Sequence, residues 1–135
     1  MADLVHHYET RVEWTDHRRG TVTAPSRSAI AAGAPPEFGG TDDVWSPEHL
    51  CVAAVNVCVM LTFIAIATNS KVAFRTYTAS ATGTLGKAEG RGPVITQIVV
   101  KPRITVAADG DRGRVERVLK KIGRASCRER VYVLV

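Results

Sequence analysis

The stretch "SPEHLCVAAVNVCVMLTFIAIA", Ser46 to Ala67, decides how the rest of the chain is read. Ser at the N-cap, Pro47 at the first helical position and Glu48 at the second make a strong helix start. Proline has no N–H to leave unsatisfied there, and a carboxylate favours the positive end of the helix dipole. The apolar run predicts a helix to about Thr68, where "TNSK" stops it. Leu50 to Ala67 carries no charge over 18 residues, which reaches the lower limit for a membrane span. Asn56, Thr62, the many alanines and the absence of a second long apolar segment argue against a span. A helix apolar on every side is otherwise one buried on every side. A chain of 135 residues has difficulty surrounding one, and a dimer that packs helices from two subunits together would solve this.

The segments around the helix read as strands. "VHHYETRVEW" is punctuated by Val5, Tyr8, Val12 and Trp14, as in a half-buried strand. "DHRRG" turns the chain, and "TVTAP" starts a second strand that Pro25 ends. From Ser26 to Ser46, Gly, Ala and Pro dominate, which predicts a long loop of the kind that often carries function. After the helix, "VAFRTYTASATGTLG" and "PVITQIVVKPRITVAAD" alternate and are rich in β-branched residues. They predict two long antiparallel strands joined through "GKAEGRG". "DGDRGRVERVLKKI" predicts a short amphipathic helix with Val115, Val118, Leu119 and Ile122 on one face. The order is two or three strands, helix, two strands, helix. It implies an α+β fold, an antiparallel sheet with helices packed on one face.

Composition narrows the function classes. Hydrophobic residues make up 45% and charged residues 23%, as in an ordinary globular domain. The net charge of +5 by itself gives only a weak affinity for polyanions. With three Phe, three Tyr and two Trp there is no stacking platform for nucleic acid. The basic run from Arg112 to Arg130 reads as a solvated helix face, so neither a nucleic-acid nor a membrane partner is expected. The N-terminus lacks a basic segment followed by an apolar run, which argues against a signal peptide. Three cysteines without a CxxC pair support neither a disulfide framework nor a structural zinc site. We expect no metal and no cofactor, and a reducing, cytoplasmic setting.

Cys51 and Cys58 lie seven residues apart, on roughly one helix face and about 10 Å apart along the axis. That is too far for a disulfide between them. On composition alone each reads as a small buried hydrophobe.

"W-S-P-E-H-L" followed by "A-A-V-N-V-C-V-M-L-T-F" resembles the OsmC/Ohr family of thiol-dependent hydroperoxide reductases. In that family a Pro-Glu pair opens the central helix, and the peroxidatic Cys follows the Glu by ten residues. Glu48 and Cys58 show that spacing; Cys51 does not, and keeps its reading as a buried hydrophobe. "Y-x-x-x-A-x-G", Tyr77 to Gly83, and "P-R-I-T-V", Pro102 to Val106, look like the family's long strands. "T-D-H-R-R-G" is similar to the turn that carries its catalytic Arg, which makes Arg18 the match with Arg19 as the adjacent alternative. The resemblance implies an OsmC-like intertwined homodimer and a peroxidase acting on organic hydroperoxides. Cys58 would attack the peroxide and become a sulfenic acid, Arg18 would stabilise the thiolate and polarise the peroxide, and Glu48 would orient Arg18. A dithiol such as dihydrolipoyl groups would be the reductant.

Those roles suit the residue types. An apolar site alone raises a thiol's pKa, and mid-helix placement gives little help from the dipole. A guanidinium supplies the missing stabilisation because it stays charged. Ten helical residues put Glu48 and Cys58 about 15 Å apart. One compact site therefore needs Cys58 from one chain with Arg18 and Glu48 from the other. Val55, Leu61, Phe63 and the loop before Trp45 are expected to form an apolar wall that favours organic peroxides. The alternative function is a non-catalytic OsmC-like domain binding a small apolar ligand.

The chain's end reads differently. "IGRASCRERV", Ile122 to Val131, is encoded in order by the sequencing-adapter string ATC GGA AGA GCG TCG TGT AGG GAA AGA GTG. We therefore expect an OsmC-like domain over residues 1–121 and an artefactual tail over 122–135. Cys127 falls near the place of the family's resolving Cys but lacks the residues that usually follow it, and is not assigned that role.

Overall fold

The computed structural model describes residues 5–87, 90, 92–108, 110–125 and 131–133. In chain order the elements are β1 (Arg11–Asp16), β2 (Arg19–Thr23), β3 (Ile30–Gly33), a 3-10 turn (Pro36–Phe38), α1 (Pro47–Asn69), β4 (Thr76–Lys87), β5 (Pro93–Thr105), α2 (Gly110–Ala125) and β6 (Val131–Val133). The strands make two three-stranded sheets, β1-β2-β3 and β4-β5-β6, antiparallel except for the β5–β6 pair. This is the expected α+β class. The chain divides into two units, Met1–Leu50 and Cys51–Val135, with the boundary inside the first turns of α1.

In the first unit β1 and β2 form a hairpin that pairs Val12 with Val22 and Trp14 with Gly20, with an irregularity between Trp14 and Asp16. His17 takes a left-handed φ of 46° in the turn, and the Trp14 indole N–H donates to its carbonyl at 2.8 Å. Two expectations need correction here. The first strand is not half-buried: β1 is exposed along its length, with Trp14 at 74% and Val12 at 72%. Nor is Ser26 to Ser46 a plain loop, because Ile30–Gly33 pairs with β2 and Pro36–Phe38 winds into a 3-10 turn. Small residues with low strand propensity form β3 because pairing with a neighbour outweighs that preference. Its last residue is tied down by the Gly33 N–H, which donates to Trp45 O at 2.8 Å.

The second unit carries the core. α1 starts as expected. The Ser46 side chain, 1% exposed, accepts the His49 N–H at 3.1 Å and lies 2.6 Å from His49 Nδ1. Along α1, Val59, Phe63 and Ala67 recur every four residues and are fully buried. They join Ile98 and Val100 of β5 with Val115, Val118, Leu119 and Ile122 of α2. The four expected apolar positions of α2 are thus all core. Phe63 meets Phe74 and Tyr77 at ring centroid distances of 5.1 and 5.5 Å. β4 and β5 pair over almost their whole length, with an irregularity at Thr84–Leu85. Gly83 lets α1 approach β4, since a Cβ there would lie 2.5 Å from the Val52 side chain.

α1 is not enclosed. It is long and apolar enough to cross a membrane by length and composition. One face packs as a core helix, whereas Cys51, Ala54, Val57, Leu61 and Ala65 on the rest of its surface are exposed.

Candidate active site

The expected arginine pair sits at the β1–β2 turn and the start of β2, and the structure separates its two members. Arg19 Nη2 pairs with Asp43 Oδ2 at 3.0 Å. The same carboxylate accepts the Thr41 hydroxyl. Thr41 first and Arg19 second hold the Asp43 pKa below the ordinary aspartate value. Arg18 instead donates from Nη1 to the Phe38 carbonyl at 3.2 Å. Its guanidinium rests beside Gly39, whose φ of 83° closes the 3-10 turn in a conformation that side chains rarely adopt. Arg18 is exposed and has no carboxylate partner among the described residues; Arg19 is half-buried and committed to one. Asp43 and Thr41 were not singled out from the sequence, because a short polar loop shows nothing of which side chain it will meet.

Glu48 stands half-buried in the first turn of α1. Among the described residues no hydrogen bond or ion pair joins Glu48 to Arg18, so the expected orienting contact is not formed within the chain. Beside it, His49 contacts Trp45 edge-on at a centroid distance of 6.5 Å. The spacing Ser46 to His49 is the sequence signal for that cluster, since residues three apart meet at a helix start.

Cys58 lies in the middle of α1, half-buried, one residue before the fully buried Val59. Two hydrogen bonds bracket it. Asn56 Nδ2 donates to Ala79 O of β4 at 3.3 Å, and the Thr62 hydroxyl donates to the Cys58 carbonyl at 2.8 Å. The first anchors the helix laterally to the sheet, and the second gives the Cys58 carbonyl a side-chain donor from the next turn. Glu48 and Cys58 share one uninterrupted helix, which keeps them about 15 Å apart along its axis.

Two further expectations change. Cys51 is exposed rather than buried. The anticipated apolar wall is dispersed, because Phe63 belongs to the core at 0% exposure while Leu61 is 55% exposed. Residues 55, 61 and 63 cannot share one face of a helix with 3.6 residues per turn. Cys127 lies outside the described residues. Among the described residues no group of three or more His, Cys, Asp or Glu could hold a metal ion.

A family model described as OsmC-like protein matches residues 40–128. Among solved structures, an OsmC-like protein of unknown function from Vibrio cholerae is similar over 96% of this chain and 100% of its own. It is 19% identical with a TM-score of 0.76. An organic hydroperoxide resistance protein from Elizabethkingia anophelis is 16% identical over 98% of this chain and 96% of its own, with a TM-score of 0.72. One from Legionella pneumophila, also 16% identical, covers 98% and 100% with a TM-score of 0.71. At these identities the likeness is one of fold. No curated protein matches the chain.

Proposed function

The chain belongs to the OsmC-like family, and on that footing we propose that it is a thiol-dependent peroxidase that reduces organic hydroperoxides through Cys58. The observation that carries the reading is the position of Cys58. It sits ten residues after Glu48 on one continuous helix, bracketed by the Asn56 and Thr62 bonds and half-withdrawn from water. The hydroperoxide resistance proteins among the similar folds support the substrate class.

The Cys58 thiolate attacks the distal peroxide oxygen. The O–O bond breaks, the sulfur is oxidised to a sulfenic acid, and the alkoxide leaves as an alcohol after taking a proton. A dithiol such as a dihydrolipoyl group then returns the sulfur to the thiol, becoming a disulfide and releasing water. Arg18 is the better placed of the two arginines to stabilise thiolate and peroxide, since Arg19 is held by Asp43. Because Glu48 and Cys58 are separated along one helix, the working unit is a homodimer in which Cys58 meets Arg18 and Glu48 of the partner subunit. A reducing, cytoplasmic setting suits this chemistry.

Peroxide consumption coupled to a dithiol tests the reading. Cys58→Ser abolishes turnover of an organic hydroperoxide and the one-oxygen mass gain on the protein, and Cys51→Ser keeps both. Full activity in Cys58→Ser would sink the proposal. A second reading, an OsmC-like domain that binds a small apolar ligand without chemistry, is favoured by one feature. A groove of about 390 Å³ lies between the end of β5 and α2, walled by Pro102, Ile104, Val106, Val115 and Leu119, with the paired Arg112 and Glu116 also lining it. Its volume is in the range of ligand sites.

A further inference from the structure

Where α1 ends against α2, the backbone closes the helix by itself. Ser70 N–H donates to Ile66 O at 2.9 Å, Lys71 N–H to Thr68 O at 3.2 Å and Val72 N–H to Ala67 O at 2.8 Å. Lys71 takes the left-handed conformation, φ 54°, in the place where glycine is usual, and Val72 folds back into the core. The Ser70 carbonyl, beyond those bonds, accepts from Arg114 Nη2 at 2.5 Å. Arg114 is also balanced by Asp111, 3.5 Å away. These bonds satisfy the end of α1 and occupy Arg114.

Two more cations, Arg117 and Lys121, line the same pocket, one and two turns further along α2. Neither has an ion-pair partner among the described residues, and no acidic residue lines the pocket. The other walls are apolar: Ile66, Val72 and Val118. The pocket, about 150 Å³, has room for a phosphate group. A carboxylate would balance one of the two uncompensated cations. A phosphate, carrying about −1.5 to −2 at neutral pH, balances both.

We propose that this pocket binds a phosphate-sized tetrahedral oxyanion, either free phosphate or the phosphate of a monoester. Arg117 and Lys121 supply the charge, and Arg114, fixed on Ser70, forms part of the wall. The site stands independently of the peroxidase reading, since it uses none of the residues around Cys58.

The test is a titration of the full chain with inorganic phosphate and, separately, with glycerol phosphate, followed by amide and side-chain chemical shifts at constant ionic strength. The expected result is saturation, with a dissociation constant on the order of 1 mM, and shifts centred on residues 70–72 and 114–121. Arg117→Ala with Lys121→Ala weakens binding at least about tenfold, while Arg112→Ala, which removes the partner of Glu116, changes it less than about twofold. Tighter binding of glycerol phosphate assigns the site to a monoester; equal or weaker binding assigns it to free phosphate. Linear shifts without saturation, an equal response to acetate, or undiminished binding by the double variant would overturn the proposal. All three variants are at the surface, and unchanged shifts elsewhere confirm that they fold.

Discussion

The two units of this chain are built on opposite terms. Every residue of the hydrophobic core, from Val59 to Ile122, belongs to the second unit. In the first, Pro35 and Ser46 are the buried residues among those described, while Val12, Trp14 and Tyr8 stand 72%, 74% and 90% exposed. Alternating strands buy stability only when one face is covered, and β1 is an open edge as well. The first unit therefore has the sequence of a buried element without the cover for it. The apolar outer surface of α1 has the same character. The homodimer proposed for catalysis would cover both surfaces.

That contrast can be broken or sharpened by substitution. The largest effect is expected inside the second unit. Phe63→Ala removes the ring that joins α1 to Phe74 and Tyr77 and should cost about 3–5 kcal/mol in denaturant unfolding. A loss below about 1 kcal/mol would mean that this core does not hold the unit.

Next come the open surfaces. Trp14→Ala, or Leu61→Glu on α1, should weaken self-association by about 2 kcal/mol or more, seen as a shift toward monomer in sedimentation. If both variants associate as the parent does, the exposed face is a true surface and the contrast between the units fails.

A smaller change is expected at Tyr77, whose buried hydroxyl has no hydrogen-bond partner among the described residues. Burial raises its pKa above the ordinary tyrosine value. Stability from this group is complete below the unfolded-state pKa and declines as pH rises past it, because the unfolded chain ionises more readily. Tyr77→Phe should leave neutral-pH stability within about 1 kcal/mol of the parent and reduce its loss at alkaline pH. A large loss at neutral pH would show that the hydroxyl has a partner in solution.

The smallest effect concerns the Arg19–Asp43 pair in the first unit. The Asp43 pKa is lowered, so its contribution is present above the ordinary aspartate pKa and is lost as pH falls through the depressed value. Asp43→Asn should loosen the segment between Pro35 and Trp45 at neutral pH, giving faster amide exchange there and removing the acid-dependent change. Unaltered exchange would show that Thr41 and the backbone bonds suffice.

Local signals placed α1, α2 and the long hairpin well. Ser46-Pro47-Glu48 starts α1 because capping and the dipole act within one turn. The apolar spacing of Val115, Val118, Leu119 and Ile122 marks the buried face of α2 because 3.6-residue periodicity is a property of the chain alone. The long hairpin followed from its alternation. β3 was hidden because alanine and glycine pair only when a neighbouring strand is there to receive them. The exposure of Cys51 and the transfer of Phe63 from the anticipated wall to the core were hidden for a related reason. An all-apolar helix gives no sign of which face meets its neighbours.

The same division holds at the candidate site. Glu48, Cys58 and the adjacent arginines were named by the resemblance to the OsmC/Ohr motif; composition alone leaves each cysteine a small buried hydrophobe. Which arginine Asp43 would hold, and that Arg18 would rest on the Phe38 carbonyl, was decided only by tertiary structure. Those contacts join residues some twenty positions apart, and their partners are set by how the loop folds back, which no local pattern encodes.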